Sequence, residues 1–402
     1  QSGNAPSGTS PYIGTFEAVT PGYGDMNAVK PASPDLTHLK YETITSNNIG
    51  VDFGLFSDKV NFTFELYKKV TDDLLQKKMK VPSSTGLSTV AWYNSGKIQN
   101  KGWEFNIDIA AVKTKDWSFN FGFNISQNKN EILELPENKN DELYTFGNKN
   151  YAYSVMMGDP LGSFYGYRYK GVYQNVEETY AVNTSGQRIL DIDGNPVVMK
   201  NGDQKVYPGD ARYEDVNGDG VIDENDIVYL GNSNPTLTGG LNFTLRYKKV
   251  SLVAAFHGRA GQKVINQARM DMENMRGKNN QSVAVLRRWR SEGDDTDIPR
   301  ALYDKGYNYL GSDRFVEDAS FLRLKTVTLK YQMPAKWMKA IGVNKLELYA
   351  TGYDMFVWTK YKGQDPEVNL KAANDGTVAQ VAIDSNNTPK PFKIAFGLNL
   401  NF

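Results

Sequence analysis

The last eleven residues constrain this chain most. Phe392, Ile394, Phe396, Leu398, Leu400 and Phe402 alternate without a break with Lys393, Ala395, Gly397, Asn399 and Asn401. Successive side chains of a strand point to opposite faces, so this stretch reads as one strand with an apolar face and a polar or small face. Sandwich strands usually run about 5–6 residues. A tilted strand that crosses a bilayer needs about 9–11.

The same alternation recurs upstream. Ile49, Val51, Phe53 and Leu55 share a face in a segment over 39–56, and Val60, Phe62, Phe64 and Leu66 do so in the next, which runs on as a ribbon to about 80. Trp103, Phe105, Ile107 and Ile109 alternate with Glu104, Asn106 and Asp108. Trp117, Phe119, Phe121, Phe123 and Ile125 alternate with Ser118, Asn120, Gly122 and Asn124. Shorter runs at 150–157 and 161–174, then 236–248, 251–262, 319–333, 343–358 and 391–402, bring the expectation to about eleven strands.

Composition removes several function classes. Lys plus Arg and Asp plus Glu are 46 each, so net charge is zero and no basic face for nucleic acid is implied. Cysteine is absent, which excludes disulfides, thiolate nucleophiles and Cys-type zinc sites. The only histidines, His38 and His257, cannot form a multi-His metal site and read as structural. Mean hydropathy is −0.53, and no apolar run reaches about 18 residues, so no transmembrane helix is expected.

The connections come in two lengths. Tight turns fall at Ser57–Asp58, Lys113–Asp116, Gly158–Pro160 and Lys248–Val250, and 334–342 reads as a helical turn. Long polar loops occupy 81–96, 130–149, 175–235, 263–318 and 359–390, with a helix expected over 281–291. Short and long alternate along the chain, as they do in a transmembrane β-barrel with short periplasmic turns and long outer loops. Trp103, Trp117, Tyr151, Tyr153, Tyr165, Tyr167, Tyr169, Trp337 and Tyr361 are then candidates for the aromatic girdles. Residues 1–38, rich in Gly, Pro, Ser and Thr, read as an extracellular loop or arm, and 39–402 as the barrel part. Eleven strands beginning outside and ending inside do not close a bacterial barrel, whose strand number is even. They are half of the ~22 strands of large plugged transporters.

Residues 215–226 read DVNGDGVIDEND. Asp215, Asn217, Asp219, the Val221 carbonyl, Asp223 and Asp226 occupy positions 1, 3, 5, 7, 9 and 12 of a calcium loop, with Gly220 at the sharp turn. Asp at position 12 departs from the bidentate Glu of an EF-hand and resembles the dockerin-type loop. The expected role is a structural Ca²⁺ that stiffens 175–235. No HExxH, GxSxG, P-loop or dinucleotide fingerprint is present, so no enzyme activity is expected. The run Arg287, Arg288, Trp289, Arg290 is followed by Glu292, Asp294, Asp295 and Asp297 and reads as a self-compensating surface.

Several stretches carry a family resemblance: NNIGVDFGLFSDKVNFTFELYKKVTDDLL (47–75), NSGKIQNKGWEFNIDI (94–109), GDPLGSFYGYRYKGVYQ (158–174), GDARYEDVNGDGVIDENDIVYLGNSNPTLTGGLNFTLRYK (209–248), VEDASFLRLKTVTLKYQMP (316–334) and YKGQDPEVN (361–369). From about residue 35 onward the chain resembles the C-terminal half of the SusC/RagA-type TonB-dependent transporters of the Bacteroidetes outer membrane. The resemblance implies an all-β, 22-stranded barrel, an N-terminal plug and barrel half outside this sequence, and TonB acting through that part. It also implies a SusD-like surface lipoprotein as lid and an oligosaccharide or peptide as cargo. Phe402 resembles the terminal signal read by the barrel-assembly machinery. Trp92, Tyr93 and Tyr309 are the candidates for cargo contact, since aromatic faces stack on sugar rings. Two other readings stand beside this one: a secreted, calcium-stiffened β-sandwich that binds carbohydrate, and a surface glycan hydrolase.

Overall fold

Nine long strands form one antiparallel sheet: β1 (Thr43–Leu55), β2 (Val60–Asp72), β3 (Lys97–Lys113), β4 (Trp117–Glu134), β5 (Leu237–Tyr247), β6 (Val250–Ala260), β7 (Phe321–Gln332), β8 (Lys345–Thr359) and β9 (Lys393–Asn401). Each pairs with its sequence neighbour, so the sheet is a meander with β1 and β9 as its edges. It does not close on itself. This computed structural model describes residues 12–19, 28–80, 84, 87, 89–135, 151–152, 156–340, 343–372, 380–386 and 388–401. No described helix is long and apolar enough to cross a membrane, which says nothing of strands.

The pleat is continuous from edge to edge. One row of directly paired residues runs Leu55, Val60, Ile109, Phe121, Phe243, Ala254, Val327, Gly352 and Ile394. The neighbouring row, on the opposite face, runs Gly54, Asn61, Asp108, Gly122, Asn242, Ala255, Thr326, Tyr353 and Lys393. A slip of one residue anywhere would move a strand's whole apolar set to the other face. Bulges preserve the facing where spacing changes. β6 passes straight from Ala255 to Phe256, while β7 inserts Lys325 and β8 inserts Asp354 and Met355 at the same level. Asp354 takes a left-handed φ of 49° there.

Short turns join β1–β2, β3–β4 and β5–β6, and a helix (Ala335–Ala340) fills the β7–β8 turn, as expected for 334–342. Lys248 has φ 50°, which suits a two-residue hairpin turn. Its N–H donates to the Asp116 carbonyl of the neighbouring turn at 2.7 Å. The other four connections are long, and they lie at the opposite end of the sheet.

Three expectations need correction. Among the described residues the sheet has nine strands, and neither Tyr151–Ala152 nor 161–174 is part of it. Ala152 bridges Tyr165, Ser163–Gly166 pairs with Val228–Asn232, and Tyr169–Val172 pairs with Ala211–Tyr213. Tyr151, Phe164 and Tyr165 are buried there by other loop residues, so their alternation marks a small core. The ribbon after β2 breaks at Asp73, φ 54°, and Leu75–Lys80 pairs instead with Thr89–Asn94, a strand inside the expected loop 81–96. Of the helix expected over 281–291, only a short 3-10 turn at Val283–Arg287 forms, while an α-helix forms at Gln267–Glu273. Within 1–38, Thr15–Val19 and Ala28–Ser33 pair as an exposed ribbon. Phe402 and Tyr153 lie outside the described residues.

Among the described residues the four apolar cores sit in the long connections. The largest gathers Tyr173, Ala181, Met199, Val206, Ala211, Tyr213, Ile222 and Leu310. A second joins Tyr151, Phe164, Ile265, Met270, Phe315 and Val381. Smaller ones hold Val264, Ala319, Tyr361 and Ala382, and Met275, Val285 and Ile298. The β4–β5, β6–β7 and β8–β9 connections, which supply all of these residues, therefore pack into a loop assembly.

Candidate functional site

The wall has the inverse arrangement. Its apolar side chains are exposed: Ile49 is 72% accessible, Phe356 57% and Phe396 82%. Val51, Phe53, Leu55, Phe64, Leu66, Leu322, Leu329, Leu348, Trp358, Ile394, Leu398 and Leu400 are exposed with them. No second layer of described residues covers this face. Soluble monomers rarely leave a contiguous apolar patch above a few hundred Å² in water. Aromatic rings mark its margin at the turn end, where Trp117 and Tyr247 face each other with centroids 4.3 Å apart. Trp117 lies at this margin and Trp337 is exposed beside it, while Trp103 stands ten residues before the turn, paired with Leu66 and Gln127; Tyr151, Tyr165 and Tyr361 are buried in the loop assembly, Tyr167 and Tyr169 pack against its largest core, and these five are no girdle.

The other face is polar and rich in amides. Asn128 Nδ2 donates to Asn100 Oδ1 at 3.2 Å, and Asn130 Nδ2 donates to the same oxygen at 2.9 Å. Tyr67 lies over Gly102, where an added Cβ would fall 2.7 Å from the phenol oxygen and 1.9 Å from the Gln127 carbonyl. Thr328 and Thr351 share a hydroxyl contact of 3.0 Å. His257 sits on this face opposite Arg323, its ring 5.9 Å from that of Phe321, a structural placement.

The calcium-like loop is well formed. Asp215 accepts backbone N–H bonds from Gly218, Asp219 and Gly220. Asn217 Oδ1 accepts from Asp219 N, Asp219 Oδ1 from Val221 N and Asp223 Oδ1 from Asn225 N. Asp226 is fully buried, and its two oxygens accept from Val216 N at 2.7 Å and Asp223 N at 2.9 Å. Burial pushes its pKa up, against the pull of those N–H donors. The donors are the hard oxygens Ca²⁺ prefers. Yet no three acidic or histidine side chains converge as a metal-sized group among the described residues. The expected calcium therefore rests on residue types and spacing, and the geometry accounts for the loop by its own hydrogen bonds.

The three cargo-contact candidates lie on two different connections. Trp92 and Tyr93 lie on the Thr89–Asn94 ribbon strand near β2 and β3. Tyr309 lies in the β6–β7 connection with the Arg276 guanidinium 4.6 Å from its ring centroid. After Arg287–Arg290 the Asp294 carboxylate accepts backbone N–H bonds from Arg290 and Ser291, so that run is locally compensated. Sequence reasoning missed a six-charge cluster around Arg323, because its members are brought together by the two bulges and the β8–β9 connection.

Residues 1–195 match the family model described as TonB dependent receptor-like, beta-barrel. TonB-dependent receptor P26 of Formosa agariphila is 32% identical over 379 residues, which cover 93% of this chain and 36% of that protein. TonB-dependent receptor SusC of Bacteroides thetaiotaomicron is 28% identical over 376 residues, 91% of this chain and 32% of that one. Among solved structures, a chain of the RagAB peptide transporter aligns with TM-score 0.71 at 22% identity, covering 98% of this chain and 39% of its own length. This chain thus spans between 32% and 39% of the curated relatives it matches. The sequence is similar to TonB-dependent receptors, SusC among them, and the fold is similar to that of the RagAB chain.

Proposed function

We propose that this chain is barrel wall and outer-loop assembly of a transporter that brings a large nutrient across the outer membrane. The carrying observation is the nine-strand apolar face, in register from edge to edge and bare, while the apolar cores among the described residues lie in the loops. Hydrocarbon is the environment that fits such a face, with the amide-rich face lining a wet interior. The TonB-dependent receptors named above support import powered through TonB; a plug and a SusD-like lipoprotein lid are what the family resemblance of the sequence adds to the proposal. One relative is named SusC and one neighbour is a peptide transporter. Oligosaccharide and peptide thus both stand as cargo. No bond chemistry is assigned to the protein.

Trp92, Tyr93 and Tyr309 remain the proposed cargo contacts, and a structural Ca²⁺ at 215–226 the proposed cofactor. The sandwich reading is not favoured, because neither face of the sheet carries a second sheet among the described residues. The test is fractionation of the native polypeptide. It should stay with the outer membrane after high-salt washing and leave it only in detergent. Recovery as a monodisperse particle in plain buffer would overturn the proposal.

A further inference from the structure

Arg323 projects from the polar face of β7, its side chain 3% accessible, into a cluster of both charge signs. One guanidinium nitrogen lies 2.5 Å from Asp365, and Nε lies 3.1 Å from Glu367 Oε2 without the alignment of a hydrogen bond. Lys325, the inserted residue of β7, reaches Glu367 at 3.2 Å and Asp354, inserted in β8, at 3.4 Å. Lys390 reaches Glu367 at 2.7 Å. Three cations meet three carboxylates. Asp365 and Glu367 are on the outgoing limb of the β8–β9 connection and Lys390 is on its returning limb. Both limbs therefore converge on one wall position, which exists only because the strands bulge there.

The same connection reaches the loop assembly. Val381 and Ala382 are buried in two of its cores, and Ala382 N donates to Ser233 Oγ at 2.7 Å. We propose that Arg323 is a positioning residue whose cluster clasps the β8–β9 connection to the inner wall and so sets where the outer loops stand over the interior. Ion pairs suit this role better than bulk stabilisation. Desolvation offsets most of their attraction, while a charge removed from its partners leaves the others in a wrong place. The proposal holds whatever cargo passes.

Hydrogen exchange on the full-length polypeptide in detergent tests it. Arg323→Gln should raise exchange at least tenfold at 362–372 and 388–392 and leave β1–β4 unchanged. Arg323→Lys should restore part of the protection. Lys390→Met should loosen 388–392 alone. Unchanged exchange at both limbs in Arg323→Gln, or an equal rise over the whole sheet, would overturn the clasp. If Arg323→Gln does not assemble, Lys390→Met decides, and unaltered protection at 388–392 counts against it.

Discussion

Placing Arg at position 121 tests the outward facing of the wall. Phe121 lies on β4, directly paired with Ile109 of β3 and Phe243 of β5, four residues in from Trp117. At roughly 3.4 Å per residue and a tilt of about 40°, four residues correspond to a depth of about 10 Å. The apolar band of a barrel is about 25 Å tall, so Phe121 stands close to its middle. Arg there should cost about 2–4 kcal/mol, or roughly 30- to 1,000-fold in the folding equilibrium. Asn120→Arg is the control, one residue away and on the opposite face, beside Thr244. Urea titrations of the full-length protein refolded into vesicles should separate the two variants by at least about 2 kcal/mol. Equal costs would mean that hydrocarbon does not lie against Phe121, and the facing of all nine strands would fall with it.

Four further outcomes follow from the same geometry. Gly102→Ala should impair assembly by about 1–3 kcal/mol or more, because its Cβ would sit 1.9 Å from the Gln127 carbonyl; a heat-modifiability assay unchanged from wild type would refute the packing. Asp226→Ala leaves the half-buried Val216 and Asp223 N–H groups without their acceptor and should lower the melting temperature of the loop assembly by an amount equivalent to about 1–3 kcal/mol. For the proposed calcium, Ca²⁺ should raise the melting temperature of 175–235 in wild type and not in Asp219→Ala; titration of wild type with Ca²⁺ that leaves the transition unmoved would remove the ion. Burial raises the Glu367 pKa, but its bonds to Lys390 and Lys325 outweigh that and bring it from 4.5 to about 2. Its contribution is thus complete above about pH 4.5 and lost as pH falls toward 2, so protection at 388–392 should be flat from pH 5 to 8 and decay below 4.5.

What was legible in the sequence follows from locality. Period two within each of the nine strands, and the alternation of short and long connections, depend on neighbours in the chain, and both are present. What covers a face is not local. Ser163–Tyr169 alternates much as Phe119–Phe123 does, yet Phe164 and Tyr165 are buried by Tyr151, Ile265, Phe315 and the Val228–Asn232 strand. Leu310 meets Tyr173 across more than a hundred residues. The bulges at Lys325 and Asp354 leave no composition signal, so the Arg323 cluster stayed hidden although YKGQDPEVN, which carries two of its acids, stood out. In the calcium-like loop the spacing of oxygens was readable, but their engagement by the loop's own N–H groups was not.

Parity survives the corrected strand count, for a physical reason. The two segments that left the sheet had been adjacent in the chain, so their removal preserves the direction of every later strand. With nine strands in one antiparallel meander, β1 and β9 run the same way. They cannot close on each other by antiparallel pairing; closure takes an odd number of additional strands between them. In lipid each unpaired N–H or C=O along those two edges would cost several kcal/mol. A barrel of about 22 strands leaves about 13 to be supplied, which is odd as the geometry requires. A sheet whose apolar face is uncovered and whose two edges are open therefore fits the larger wall proposed above, and the loop assembly, with cores of its own, is the part of this chain that packs as proteins do in water.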